Sequence, residues 1–106
     1  MLIVTTENIP GHIVREVKGQ VFGVTGRSRG IGGNMMAGLR TIVGGEIPEY
    51  TQMLEEARRH AIDRMVESAL LRKAKAIVMM RFDSSELGQS MSEIAAYGTA
   101  VVVDPA

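Results

Sequence analysis

A glycine-rich stretch carries the most specific chemical pattern in the sequence. Residues 24–32 read VTGRSRGIG. An apolar strand that runs into T-G-x-x-x-G-I-G is typical of short-chain dehydrogenases, where glycines let backbone N–H groups approach a pyrophosphate. The rest of such a site is missing, because the pattern offers no second parallel strand within about 30 residues. Tyr50 and Tyr97 also lack the lysine four residues on that these enzymes use. We therefore reject a dinucleotide-dependent dehydrogenase.

Two arginines in the same stretch leave a second hypothesis open. Arg27 and Arg29 flank the predicted start of a helix, where free N–H groups favour an anion. A guanidinium beside them binds phosphate or carboxylate well. The alternative, which we favour, is a tight turn from strand to helix whose arginines contact solvent or a neighbouring subunit.

The histidines and methionines suggest metal chemistry only weakly. His60 follows Glu56 by one helical turn, a spacing that can supply two metal ligands. Both lie on the charged face of the predicted helix, so a solvated pair is the favoured interpretation. His12 is a third, isolated candidate. The sequence has no cysteine, and its eight methionines fit core packing better than a soft-metal site.

Glu93 and Tyr97 place a carboxylate and a phenol on one face of a predicted strand. Four residues along a strand span about 13 Å, so this pair alone does not define a reaction. An enzyme with both groups in an intersubunit cleft is one hypothesis. Hydrogen bonding across an ordinary subunit interface is the hypothesis that we favour.

Composition restricts the classes of function further. The chain has 106 residues, with 12 basic and 12 acidic side chains. This balance gives no basic surface for nucleic acid and little repulsion between copies. No apolar run approaches the roughly 18 residues of a membrane span, and the first residues lack the features of a signal peptide. We expect one domain, residues 1–106, in the cytoplasm.

The first third of the chain has the pattern of β-structure. Residues 2–5 form a short strand candidate, and residues 13–25 are rich in β-branched side chains. This second segment is interpreted as one strand or as a hairpin. Gly19 and Gly23 within it permit a bulge or a bend.

The middle of the chain predicts two helices. Asn34 can cap a short helix that ends at Gly44. A second helix, over about residues 48–72, would be roughly 35 Å long. Its apolar positions recur at steps of three and four: Tyr50, Met53, Leu54, Ala57, Ala61, Met65 and Ala69.

The last third returns to a period of two. Val78, Met80 and Phe82 are predicted to share one strand face. Residues 91–103 form a second strand, one side of which carries mostly small side chains: Ile94, Ala96, Gly98, Ala100 and Val102. Small residues indicate a close neighbour there, either the long helix or another subunit. Strands, helices and a final hairpin together predict an α+β fold.

Several longer motifs resemble one known family. These are RSRGIGGN, AGLRTIVGGEIPEYTQMLEEAR, HAIDRM and RFDSSELGQSMSEIAAYGTAVVV. They are similar to the YbjQ-like family of small bacterial and archaeal proteins, whose biochemistry is unassigned and which often carry a heavy-metal-binding label. The resemblance implies a dodecin-like β-α-β-β fold, with an antiparallel sheet packed on one long helix, and the short helix predicted after Asn34 would precede that long helix. It also implies ring-like homo-oligomers, commonly pentamers.

The resemblance carries a polar signature onto this chain: Arg40, Glu46, Tyr50, Arg58, Glu93, Tyr97 and Thr99. We treat these residues as ligand-site or interface candidates, but we favour a structural role, since Arg40 and Glu46 suit the dipoles of the predicted helix ends. The chain departs from the family pattern after the long helix. Lys73 stands where relatives usually have a helix-terminating glycine, Lys75 stands where they have asparagine, and Met79 replaces a glycine within the next strand.

Taken together, these patterns predict a non-enzymatic, homo-oligomeric protein that binds a ligand or acts as a scaffold. The sequence does not identify a cofactor, and binding of a small ligand or anion is an open hypothesis. The alternative is a metal-binding protein with a site between subunits, using His12, His60, Glu46 or Glu93.

Overall fold

A computed structural model describes residues 1–28, 48–86 and 91–106 of the chain. Within these residues one helix packs on a four-stranded sheet, as the predicted α+β fold requires. The elements, in chain order, are β1 (Leu2–Ile3), β2 (His12–Ser28), α1 (Pro48–Leu71), β3 (Ala76–Glu86) and β4 (Met91–Pro105). The predicted short helix after Asn34 lies outside the described residues.

The sheet is mixed, with the strand order β1-β3-β4-β2. The three long strands are antiparallel neighbours, whereas β1 pairs with β3 in parallel. The antiparallel sheet that the resemblance implies corresponds to the three long strands, and β1 extends it by one short parallel pair. The chain continues along β3 after β1, since the N–H of Val4 donates to the carbonyl of Ile77 at 2.9 Å. It then crosses the sheet to begin β2 at the opposite edge.

β2 is one long strand and not a hairpin. It pairs with β4 from His12 opposite Pro105 to Ser28 opposite Met91. The register shifts twice, between Val14 and Glu16 and between Val17 and Gly19. Gly19 has a φ of +108°, so the predicted bulge at this glycine is confirmed.

Gly23 has a different role from the predicted bend, because the register continues through it. A Cβ at this position would lie 2.2 Å from the carbonyl oxygen of Ala61 and 2.5 Å from the backbone nitrogen of Met65. The glycine therefore allows the backbone of α1 to contact the backbone of β2 directly.

The long helix begins at Pro48, as the sequence predicts, and buries one stripe at steps of four. The fully buried positions are Ala57, Ala61, Met65 and Ala69. The same core cluster contains Ile94, Ala96 and Ala100 of β4. The close neighbour predicted for the small-residue face of β4 is therefore α1.

The predicted faces of β3 are wrong at Val78. Met79 adopts a φ of +55°, and the register with β4 shifts between Val78 and Arg81. Ile77 and Met80 both join the core under α1, while Val78 belongs to a second cluster. A bulge, which simple alternation does not anticipate, moves Val78 to the opposite face from Met80.

This second cluster lies on the side of the sheet away from α1. Ile9 is buried there with Ala76, Val78 and Val101. Ile9 belongs to the segment that crosses from β1 to β2, and its carbonyl accepts the N–H of His12 at 3.0 Å. The crossing segment therefore covers one end of the face that α1 leaves open.

The C-terminal end of α1 forms a Schellman motif. The N–H of Ala74 donates to the carbonyl of Ala69 at 3.1 Å, and the N–H of Lys73 donates to the carbonyl of Leu70 at 3.0 Å. Lys73 has a φ of +60°, the left-handed conformation that favours glycine. Lys73, which departs from the glycine of the family pattern, therefore occupies a position whose backbone conformation favours glycine.

Replacing Gly23 with alanine should destabilise the fold strongly. The added methyl group meets backbone atoms of Ala61 and Met65, which move only if the whole helix moves. We expect Gly23→Ala to lower the free energy of unfolding by at least about 2 kcal/mol, measured by urea denaturation. The control is Gln20→Ala on the exposed side of β2, expected to change stability by about 0.5 kcal/mol or less. Equal effects of the two substitutions would contradict the close packing.

Replacing Lys73 with glycine should stabilise the fold. Glycine adopts the left-handed conformation without strain, which offsets its larger entropy in the unfolded chain. We expect Lys73→Gly to raise the free energy of unfolding by about 0.5–1 kcal/mol. Lys73→Ala removes the same charge but keeps the strain, so thermal unfolding of that variant should show no comparable gain.

Candidate functional site

The face of the sheet away from α1, here called the open face, carries a compact apolar patch. Phe22 lies directly opposite Tyr97, and Val24 lies opposite Ala95 in the next row. Phe22 is 61% exposed and Tyr97 is 38% exposed, while Val24 and Ala95 are half-buried. These four residues, called the open-face patch, form a square across β2 and β4.

Single exposed apolar side chains are ordinary on protein surfaces, but a contiguous group is not. Side chains directly opposite each other on antiparallel strands have Cβ atoms about 4.5–5.5 Å apart. The two aromatic side chains therefore present one continuous surface. Such a surface on an uncovered sheet face is typical of a binding or interaction site.

The polar surroundings of the patch are mainly acidic. Asp83 of β3 lies opposite Ala95, and Glu93 lies one row beyond it, opposite Ser85. Asp83 is exposed and Glu93 is half-buried. Arg81 lies opposite Tyr97. Its Nη1 donates at 2.8 Å to the carbonyls of Thr5 and Met80, so its charge is directed to the backbone of the crossing segment and of β3.

The edge of β2 that faces away from β4 is less available than the open face. Two arginines of α1 reach this edge strand: Arg64 donates to the carbonyl of Val24, and Arg72 donates to the carbonyl of Lys18 at 3.2 Å. Together with the two bulges, these contacts interrupt the regular edge that another strand would need for pairing. The open-face patch is therefore the better candidate for an interaction.

The predicted pair Glu93 and Tyr97 lies on one face of β4, as their spacing indicates. Tyr97 belongs to the open-face patch, and Glu93 lies at its acidic border. No hydrogen bond in the structure joins their side chains. Phe22, the most exposed member of the patch, is not among the predicted site residues. The available sequence signal was alternation along β2, which places Phe22 on the other face of the strand from Val21 and Gly23.

The metal candidates that the structure describes do not come together within one chain. His60 and Glu56 are exposed on α1, and Gln52 Nε2 donates to Glu56 Oε1 at 3.5 Å. His12 Nδ1 lies 3.1 Å from the carbonyl of Pro10. His60 adjoins the contact between α1 and Gly23, which is roughly 35 Å along β2 from His12. Among residues 1–28, 48–86 and 91–106, no three metal-binding side chains cluster.

The other predicted site residues divide into two groups. Arg29, Arg40 and Glu46 lie outside the described residues, and only the backbone is described at Arg27 and Tyr50. Arg27 is a residue of β2, paired with Ser92, rather than part of the predicted turn.

Arg58 and Thr99 are fully described. The Arg58 guanidinium carbon lies 5.7 Å from the centre of the Phe82 ring, which is a cation–π contact between α1 and β3. Thr99 is half-buried and lies between Gln20 and Val78 in the sheet. The contact of Arg58 is structural, and neither residue contributes to the open-face patch.

Thr25 is a buried polar residue without a hydrogen-bond partner at its Oγ1. It lies opposite Ile94, a member of the core beneath α1. It therefore faces away from the open-face patch. Leaving such a hydroxyl unpaired costs about 1–3 kcal/mol.

Within the described part of the chain, no helix combines the length and the hydropathy that a membrane span requires.

Comparisons with known proteins agree across nearly the whole chain. A UPF0145 protein of Bradyrhizobium sp. (strain ORS 278) is 67% identical over 106 residues, covering 100% of this chain and 96% of the relative. A UPF0145 protein of Sulfurisphaera tokodaii is 54% identical over 103 residues, covering 97% of this chain and 90% of the relative.

A solved structure supports the fold. The crystal structure of a DUF74-family protein of unknown function from Pediococcus pentosaceus matches with a TM-score of 0.66 at 15% identity, covering 98% of each chain. The family model described as "Putative heavy-metal-binding" matches residues 1–104. The chain therefore belongs to the YbjQ family of UPF0145 proteins.

Proposed function

We propose that this protein is a non-enzymatic homo-oligomer whose subunits associate through the open-face patch, and that the assembly binds a ligand or acts as a scaffold. The observation that carries this proposal is the exposure of Phe22 and Tyr97 side by side on the sheet. The equal numbers of acidic and basic residues add little repulsion between copies.

The patch contains enough apolar surface to matter energetically. Fully burying one side chain of the size of Phe or Leu contributes about 1.5–3 kcal/mol. Tyrosine is enriched among the residues that dominate binding energy at interfaces. Burial of Phe22 and Tyr97 in a contact would therefore contribute several kcal/mol toward association, and the half-buried Val24 and Ala95 would add to it.

The chemistry of the patch favours binding over catalysis. Acid–base catalysis needs groups within hydrogen-bond reach of one reacting atom. Glu93 and Tyr97 are four residues apart on one strand, roughly 13 Å. The enzyme hypothesis therefore needs a second subunit to supply a converging group. A cyclic ring, pentameric as the family resemblance implies, is the form of assembly that we propose.

The size of the protein in solution tests this proposal. Light scattering at micromolar concentration should give a mass several times 11.5 kDa, and Phe22→Glu should reduce it to one subunit, because a buried carboxylate cannot be desolvated cheaply. Phe82→Glu is the matched control, since Phe82 is a partly exposed phenylalanine on the other face of the sheet. A monomeric wild-type protein would contradict the proposal.

Metal binding is the second candidate function, favoured by the family description and by the exposed Glu56 and His60 one helical turn apart. Two ligands from one chain make a weak site, so a tight site would need further ligands from another subunit. His12 and Glu93 are the described groups that could supply them.

Calorimetric titration with Zn²⁺, Ni²⁺ and Cu²⁺ tests the metal candidate. We expect saturable heat that His60→Ala abolishes, because the imidazole is the nitrogen ligand of the pair and its removal leaves only carboxylates on that helix face. His12→Ala serves as the comparison and reveals whether the second histidine takes part. Heat that is unchanged in His60→Ala would remove this site from consideration.

A further inference from the structure

A second apolar surface lies on the other side of the sheet. Leu70 and Leu71, in the last turn of α1, are 59% and 84% exposed. They are followed by Lys73 and Lys75, both exposed. These four residues are called the helix-end patch. Because α1 covers the face opposite the open-face patch, the two patches of one chain cannot contact each other.

We propose that the helix-end patch of one copy docks onto the open-face patch of the next copy. This inference rests on the proposed homo-oligomer and identifies the two surfaces that meet in it. Such a contact joins different surfaces on the two copies, so the docked pair still presents one free patch of each kind. A contact of this type either closes into a ring or continues as a filament.

Charge supports this pairing. The open-face patch is bordered by the carboxylates of Asp83 and Glu93, and the helix-end patch carries the ammonium groups of Lys73 and Lys75. Docking one patch on the other brings opposite charges around an apolar centre, which favours the correct partner and orientation. A symmetric contact between two open faces would instead bring two sets of carboxylates to the same interface.

The helix end is also held in a fixed conformation. The Schellman motif fixes the backbone after Leu71, and Ala74 is buried in the core. Arg72 anchors the same turn to β2 through the carbonyl of Lys18. Leu70 and Leu71 are therefore presented on a rigid support, which reduces the entropy that binding must remove.

Mixing two variants tests the pairing. Leu71→Glu removes the helix-end patch but keeps the open-face patch, and Phe22→Glu does the reverse. Each variant alone should be monomeric by light scattering. An equimolar mixture should form a dimer of about twice 11.5 kDa that contains one copy of each variant, because one intact contact is restored and both outer surfaces are blocked.

Each outcome has a distinct meaning. Oligomers of unchanged size in Leu71→Glu, together with a monomeric Phe22→Glu, would overturn the pairing but leave the proposed function standing. A monomeric wild-type protein would overturn both. Circular dichroism and thermal unfolding verify that each variant is folded. If Leu71→Glu fails to fold, Leu71→Ser provides the same test, and loss of assembly is again the expected result.

Discussion

The close approach of α1 to β2 at Gly23 is the constraint on which the rest of the structure depends. The helix backbone meets the strand backbone there, which requires alanines along the buried stripe and small side chains on the facing side of β4. Because α1 lies this close to β2, the side chains of Arg64 and Arg72 can donate to carbonyls of β2. The same packing places the whole helix on one side of the sheet and leaves part of the other side open.

Lengths explain which surfaces remain exposed. A strand of 17 residues is about 55 Å long and a helix of 24 residues is about 36 Å long, so α1 cannot extend along all of β2. The crossing segment that buries Ile9 covers one end of the open face. The open-face patch lies on that face beyond the crossing segment, and the helix-end patch lies at the end of α1 on the other side of the sheet. We regard the two patches as complementary parts of one contact between copies.

Much of this architecture follows from the sequence, for physical reasons. Pro48 and the four-residue spacing of the alanines predict where α1 lies. The small residues of β4 predict that another element packs closely against that strand. The bulge at Met79 was not predictable from alternation. Its signal came from the resemblance, since Met79 stands where the family pattern has a glycine, the residue that adopts positive φ without strain. The parallel pairing of β1 depends on a contact with β3, more than 70 residues later in the chain.

The candidate site was only half predictable. Spacing placed Glu93 and Tyr97 on one face of a strand, but Phe22 has the pattern of an ordinary core residue. It is exposed because the described structure packs α1 against the opposite face only. The histidines show that residue type alone does not predict a site. His12 and His60 can both bind a metal, but they lie far apart within one subunit.

Disulfide cross-linking tests the central claim most directly, because the natural sequence contains no cysteine. Leu71→Cys and Ala95→Cys place one thiol in each patch, on separate chains. Mild oxidation of an equimolar mixture should give a covalent dimer that contains one chain of each variant, with little cross-linking of either variant alone. Efficient dimerisation of Ala95→Cys by itself would show two open faces in contact and would contradict the account.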